Sequence, residues 1–285
     1  MKVIMATMVK DEVDIVEHWI NYHGKLFGYE NLFIVDNMSS DGTHTLCKKY
    51  RDKYGVNLKK HPNYLEKGNE MKKIYLENKC DIFFPIDIDE FVVFYDRNKN
   101  KIRLTNINKY LKKLISQKGN QYNYFKCDYI NPKKTYESKH VIQKFRHATL
   151  CDTYGNLRKT FIYTKNLGNN IKIDHGNHMG HVNYFVCDLC LVHYHLRSHE
   201  QKYKKSVNNV LGLGYQVDIK KLENGDKKEL KNFKNVANNA KMGGHHVRSL
   251  YGFFLGTIKT YEPWTEEVKK YFIDIRKIYT FITKK

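Results

Sequence analysis

No apolar run in this chain approaches the ~18 residues of a membrane-spanning helix. The opening "MKVIMATMV" carries one Lys and a short apolar run before "KDE", and lacks a secretory pattern. These absences lead to the expectation of a soluble, cytoplasmic protein that meets a membrane only peripherally. The six cysteines are scattered, with no disulfide framework, which suits reduced thiols. Repeats and low-complexity linkers are missing too. Acidic residues are scarce: 30 Asp and Glu face 50 Lys and Arg, a formal net charge of +20. A polyanion-binding module is one reading of that charge. However, Lys and Asn are spread along the whole chain, as in "RNKNK" (97–101) and "KNFKNVANNAK" (231–241). The charge therefore reads as a composition bias on solvated surfaces, and no nucleic-acid partner is expected. A smaller anion such as a nucleoside diphosphate would still gain from the positive field.

What is present is a globular composition, 41% hydrophobic and 14% aromatic over 285 residues, ample for a core. Residues 2–9, 31–37, 56–61 and 81–87 read as buried strands. Between them lie three helical patterns. The first has Asp11 as a plausible N-cap, Val13, Val16, Ile20 and Phe27 on one face, and Gly28 as its stop. The second covers 39–55 and ends on Gly55. The third covers 68–79, with Met71, Ile74 and Tyr75 turned inward. This β-α-β-α-β-α-β order implies an α/β architecture, a mostly parallel central sheet flanked by helices. Further along, 102–117 reads as a helix, 121–130 and 158–164 as strands, and 184–198 as a strand entering a polar loop. The signal is then helical and basic, with an apolar, glycine-containing helix over 247–261.

In open α/β sheets ligands bind outside the carboxyl ends of the strands. The polar residues at those ends are Lys10-Asp11-Glu12, Asp36-Asn37 and Asp87-Ile88-Asp89. In "FFPIDIDEFVVF" (83–94) the carboxylates interrupt an apolar run. Ionised carboxylates in such a setting are costly unless paired or metal-bound. Alternate residues of an extended chain share a face, so Asp87 and Asp89 point together, a donor pair suited to Mg²⁺ or Mn²⁺.

The order "MVKDEVDIVEHWINYHGKLFGYENLFIVDNMSSDGT", then "FFPIDIDEFV", then "LVHYHLRSHEQKYKK" resembles glycosyltransferases of the GT-A fold, in particular the family-2-like and family-92-like group. The resemblance covers about 200 residues. It departs from the usual "KNE" at Asp11, and it does not reach the last 80 residues. It implies a Rossmann-like GT-A domain over 1–200, with a nucleotide-binding half about 1–95 and an acceptor half about 96–200, followed by a helical C-terminal extension, 201–285. It implies a UDP- or GDP-sugar donor, a Mn²⁺ or Mg²⁺ ion, and a glycan or protein acceptor. Thr7, Val9, Lys10, Asp11 and Glu12 match the loop around the nucleoside, Asp36 the residue that contacts the base, and Asp87 and Asp89 the motif that meets ribose, metal and diphosphate. His193, or alternatively His195, matches a metal-completing histidine, and His175 in "DHGNHMGH" (174–181) matches a His-Gly of the acceptor loop.

Lys67, Arg158 and Lys159 are candidate cations for the diphosphate. An inverting reaction needs a carboxylate base. Asp152, Asp174, Asp188 and Glu200 are available. Asp152 and Asp174 lie in loops on the expected acceptor side, while Glu90 either orients its loop or faces the acceptor. Cys187-x-x-Cys190 hints at zinc, but strand alternation sends the two to opposite faces. A nucleotidyltransferase is the alternative enzyme; "MATMVKDE" lacks the glycine its phosphate loop would require. The tail "KKYFIDIRKIYTFITKK" (269–285) reads as an amphipathic basic helix, suited to docking on the first domain or to peripheral membrane contact.

Overall fold

The computed structural model describes residues 1–105, 107–116, 121–130, 141–144, 147–150, 160–163, 171–174, 185–194, 197–241, 243–257 and 273–284. The chain forms two compact units. The first contains 1–62, 66–195 and 263–285; the second contains 63–65 and 196–262.

In the first unit β1 (Val3–Val9), β2 (Leu32–Asp36), β3 (Asn57–Lys60) and β4 (Ile82–Pro85) run parallel in the order β3-β2-β1-β4. The crossovers are α1 (Val16–Phe27), α2 (Thr43–Tyr54) and α3 (Lys67–Glu77). All seven residues of β1 are buried, as an unbroken apolar run requires when both faces of a strand are covered. The expected α/β arrangement is present here. Beyond β4 the sheet continues through strands of mixed direction. These are β9 (Thr160–Tyr163), β7 (Gln121–Ile130), β10 (Phe185–His193), β5 (Glu90–Asp96) and β6 (Lys101–Arg103). β4 and β5 are separated in sequence only by residues 86–89, too few for a crossover helix, and they are not neighbours in the sheet. That short connection carries both aspartates. α4 (Ile107–Ser116) follows β6.

Residues 102–103, expected at the start of a helix over 102–117, lie in β6 instead, and three further local details depart from the sequence expectation. Asp11 does not cap α1: the helix begins at Val16 behind Ile15, with no side-chain cap, and Asp11 sits in a left-handed conformation (φ 52°). Val13, expected on the inner helical face, lies outside the helix and is exposed. Gly28 (φ 93°) and Gly55 (φ 75°) end α1 and α2 as expected, each donating its N–H to a carbonyl of the preceding turn.

The third departure concerns the C-terminus, expected within a helical extension over 201–285. Residues 263–285 belong instead to the first unit. β11 (Ile273–Asp274) pairs antiparallel with β8 (His147–Leu150), which itself pairs with β7. α9 (Arg276–Thr283) then packs on α1. The Phe281 ring meets Tyr22 edge-on at 5.6 Å, and Lys25 Nζ donates to the carbonyls of Ile282 (2.7 Å) and Lys284 (2.6 Å). Ile273, Ile275 and Ile278 are buried. Docking on the first domain is one of the two readings the tail pattern offered; residues 269–272 lie outside the described residues.

The second unit is a helical cluster of α5 (His199–Gly212), α6 (Ile219–Glu223), α7 (Lys227–Asn239) and α8 (Gly244–Phe254), closed around Val210, Leu222, Phe233, Ala237, Val247 and Leu250. Ser198, Asp218 and Asp226 cap α5, α6 and α7 with side-chain oxygens. The apolar helix expected over 247–261 is α8, which gives way to a turn at Gly256 (φ 66°). Among the described residues no helix is long and apolar enough to cross a membrane.

The first unit also contains a titratable group at its centre. His23 is fully buried between Trp19, Tyr22 and Phe91. Its Nδ1 is 3.1 Å from Trp19 O, and its Nε2 accepts from Val92 N–H at 3.4 Å, a pairing that only the neutral ring satisfies. Burial holds its pKa down to about 3. The folded protein therefore refuses a proton that the unfolded chain accepts below about pH 6.5. Stability is present above that pH and falls as the pH drops toward 3, with a limiting slope of about 1.4 kcal/mol per pH unit. In His23→Gln, acid denaturation monitored by circular dichroism between pH 7 and 4 is expected to show a shallower loss.

Candidate functional site

The parallel register pairs Val9 with Asp36 and Thr7 with Ile34, so Thr7, Val9 and Asp36 share one face at the carboxyl ends of β1 and β2. The two loops that follow are tied together. Asp11 N–H donates to Ser39 Oγ (3.0 Å), Ser40 N–H to Asp11 Oδ1 (2.7 Å), and Lys10 Nζ to Met38 O (2.6 Å). Glu12 N–H donates to Thr43 Oγ1 at 2.8 Å. Asp11 and Met38 (φ 57°) are both left-handed, a strain of about 1–3 kcal/mol each that these bonds hold in place. Asp11 and Lys10, expected around the nucleoside, thus also brace the neighbouring loop. Sequence reasoning missed this brace; the side-chain donors and acceptors clustered in "DNMSSDGT" were its available signal.

Asp36 is fully buried. Its Oδ1 accepts from Ser39 N–H at 3.1 Å. His44 Nδ1 lies 3.0 Å from Oδ2, within ion-pair distance but without an aligned N–H. Thr7 Oγ1, also fully buried, has no aligned hydrogen-bond partner among the described residues. Buried polar atoms left in this state cost about 1–3 kcal/mol each unless a ligand or water satisfies them.

The aspartate connection forms a closed turn. Glu90 N–H donates to Asp87 O (3.1 Å), and Asp87 N–H donates back to Glu90 Oε2 (2.9 Å). Tyr194 N–H donates to Asp89 O at 2.8 Å, and His193 is the register partner of Glu90, so the turn is moored to the end of β10. Glu90 is 0% exposed and Asp89 1%. Glu90 Oε2 thus closes the turn onto the Asp87 backbone. Asp87 is partly exposed and accepts from Lys67 Nζ at 2.5 Å, the lysine being only 4% exposed at the start of α3. Asp89 Oδ1 faces His193 Nε2 at 3.4 Å.

Segment 171–174 crosses the start of α3 so closely that a Cβ on Gly68 would lie 2.4 Å from Ile173 O and 3.5 Å from the Asp174 carbonyl carbon. Asp174 therefore borders the residue next to Lys67. Asp152, Arg158, Lys159, His175 and His195 lie outside the described residues. Cys187 and Cys190 are buried thiols in β10. Among the described residues no group of three or more His, Cys, Asp or Glu is arranged to hold a metal by itself.

The sequence matches no protein-family model and no curated protein. Among solved structures the chain is similar to S. aureus TarS 1-349 in complex with UDP-GlcNAc, at 12% identity, covering 90% of this chain and 72% of that one, with a TM-score of 0.43. It is similar to another S. aureus TarS structure at 11% identity, covering 91% of this chain and 49% of that one, with a TM-score of 0.40. A third similarity is to glucosyl-3-phosphoglycerate synthase from Mycobacterium tuberculosis in complex with phosphoglyceric acid, at 15% identity over 44% of each chain, with a TM-score of 0.31.

Two substitutions test this geometry. Glu90→Ala removes the acceptor of the Asp87 N–H and is expected to destabilise by about 1–3 kcal/mol, while Glu90→Gln, which keeps an oxygen there, loses much less; urea melts of the two variants compare them. Gly68→Ala would ordinarily stabilise a helix by up to about 1 kcal/mol. Here the new methyl meets a backbone oxygen that cannot rotate away, so overpacking of about 1–3 kcal/mol prevails and the variant melts below wild type.

Proposed function

We propose that this protein is a glycosyltransferase that moves a sugar from a nucleoside-diphosphate sugar to a hydroxyl acceptor, a glycan or protein, with the help of a divalent cation. The observation that carries the reading is the set of buried polar groups at the carboxyl ends of adjoining strands. Among the described residues, Thr7 Oγ1 and Asp36 Oδ2 are buried oxygens without an aligned hydrogen bond, the latter 3.0 Å from His44 Nδ1, beside a turn that brings Asp87, Asp89 and His193 to the same edge of the sheet. A nucleobase N–H is a donor suited to Asp36 Oδ2. The motif order "VDNMSSDGT" then "DIDEF" supports the same reading.

The donor set fits a divalent cation. Asp89 and His193 supply an oxygen and a nitrogen 3.4 Å apart in a buried setting. Mg²⁺ and similar ions are commonly bound by one or two protein groups plus substrate phosphates rather than by a complete protein cage. When bound, the cation supplies Lewis-acid neutralisation of the diphosphate as it departs. Lys67 adds a fixed positive charge beside it. In the transfer the acceptor oxygen forms a bond to the anomeric carbon, the bond from that carbon to the diphosphate oxygen breaks, and the acceptor proton passes to a base. In an inverting reaction Asp152 and Asp174 are the candidates for that base.

The test is a panel of UDP- and GDP-sugars, each with Mn²⁺, scored by thermal protection and by release of nucleotide. One donor is expected to raise the melting temperature of wild type. Asp36→Asn is expected to weaken that protection and Asp89→Asn to reduce nucleotide release by about 100-fold or more. If no donor protects the protein or releases nucleotide, or if Asp89→Asn matches wild type, the reading fails.

A further inference from the structure

Asp36 is the acceptor offered to a nucleobase N–H, yet its carboxylate is covered. The residue is 0% exposed, and His44 Nδ1 lies 3.0 Å from Oδ2, with both atoms buried. A nucleobase N–H that bonds Oδ2 must bring its nitrogen within about 2.7–3.2 Å of that oxygen. The imidazole nitrogen already stands in that shell. The ring is also the member of the pair that solvent reaches, at 29% exposed against 0% for the aspartate side chain.

The two partners are not held equally. Asp36 is tied through backbone and side chain: His61 N–H donates to its carbonyl (3.0 Å), and Ser39 N–H donates to Oδ1 (3.1 Å). Turning the carboxylate toward a ligand would break the Ser39 bond. His44 is held through its backbone instead. It follows Thr43 at the start of α2. The Thr43 N–H and hydroxyl donate to Asp41 Oδ1 (3.0 and 2.6 Å), and the same hydroxyl accepts from Glu12 N–H (2.8 Å). Nδ1 makes no aligned hydrogen bond, and a contact without alignment is weak even at short distance. Rotation about the side-chain torsions can therefore carry the ring away from Oδ2 while α2 stays in place.

Resting on the transferase reading above, we infer that His44 is a displaceable cover on Asp36. In the free protein the imidazole occupies the approach to Oδ2, and it swings outward when a nucleobase N–H takes its place. His44 is thus a positioning residue that opposes donor binding. It keeps a polar group against a buried carboxylate while no base is bound, and its displacement lowers the affinity for the nucleotide.

The experiment is calorimetric titration of the full chain with UDP and with GDP, each with Mn²⁺, in wild type and in His44→Ala. Alanine is a strong helix former, so α2 persists in the variant, and His44→Ser serves as a second variant without the ring. The nucleotide that binds wild type is expected to bind both variants about threefold more tightly or better, the size of a modest polar contact removed from a competitor. Pyrophosphate, which carries no base, is expected to show no such gain. Nucleotide binding by the variants that is equal to or weaker than wild type overturns the inference alone, weaker binding being the result if the imidazole contacts the base directly. A gain for pyrophosphate as large as that for the nucleotide also overturns it alone. If neither nucleotide binds wild type or the variants, the inference falls together with the transferase reading.

Discussion

The reciprocal hydrogen bonds between Asp87 and Glu90 are the constraint on which the candidate site depends. Four residues carry the chain from β4 to β5, strands that are not neighbours in the sheet, and acidic groups sit within that span. A connection so short and so buried has few ways to satisfy its backbone. It uses the carboxylate of Glu90, the first residue of β5, on the Asp87 N–H and borrows the Tyr194 N–H for the carbonyl of Asp89. These bonds hold the backbone at both aspartates, and their side chains face Lys67 and His193.

The same economy operates at the ends of β1 and β2. The loops after these strands contain two left-handed non-glycine residues, Asp11 and Met38, which persist because side chains from each loop satisfy the backbone of the other. The basic composition has a local counterpart: of the many lysines, Lys67 is nearly buried and bonded to a site carboxylate, and Lys25 caps the end of a helix. The remainder agrees with the reading of solvated lysines, most of those described being exposed or partly so.

Much of the architecture was legible in sequence because it is local. β1, β2 and β4 announce themselves as short apolar runs, and α1 and α2 stop at glycines whose positive φ other residues rarely adopt. Asp11 misled because Asp is a strong cap in isolation, yet here its carboxylate serves Ser40, a residue 29 positions away. The tail pattern left two receiving surfaces open. Its amphipathic pattern was real, but the surface receiving the apolar face, α1 with Tyr22 and Lys25, lies some 250 residues earlier in the chain.

The sequence alone determined the parallel α/β half and the edge at which acidic groups collect. These depend on periodicity and on residues close together along the chain. Tertiary structure decided the mixed strands beyond β4, the return of the C-terminus to the first unit, the hydrogen bond of Glu90 to the Asp87 N–H, and the unequal surroundings of Asp87 and Asp89. Each of those depends on partners distant in sequence, Lys67, His193 and Tyr194 among them, and no local pattern encodes the distance between groups that only folding brings together.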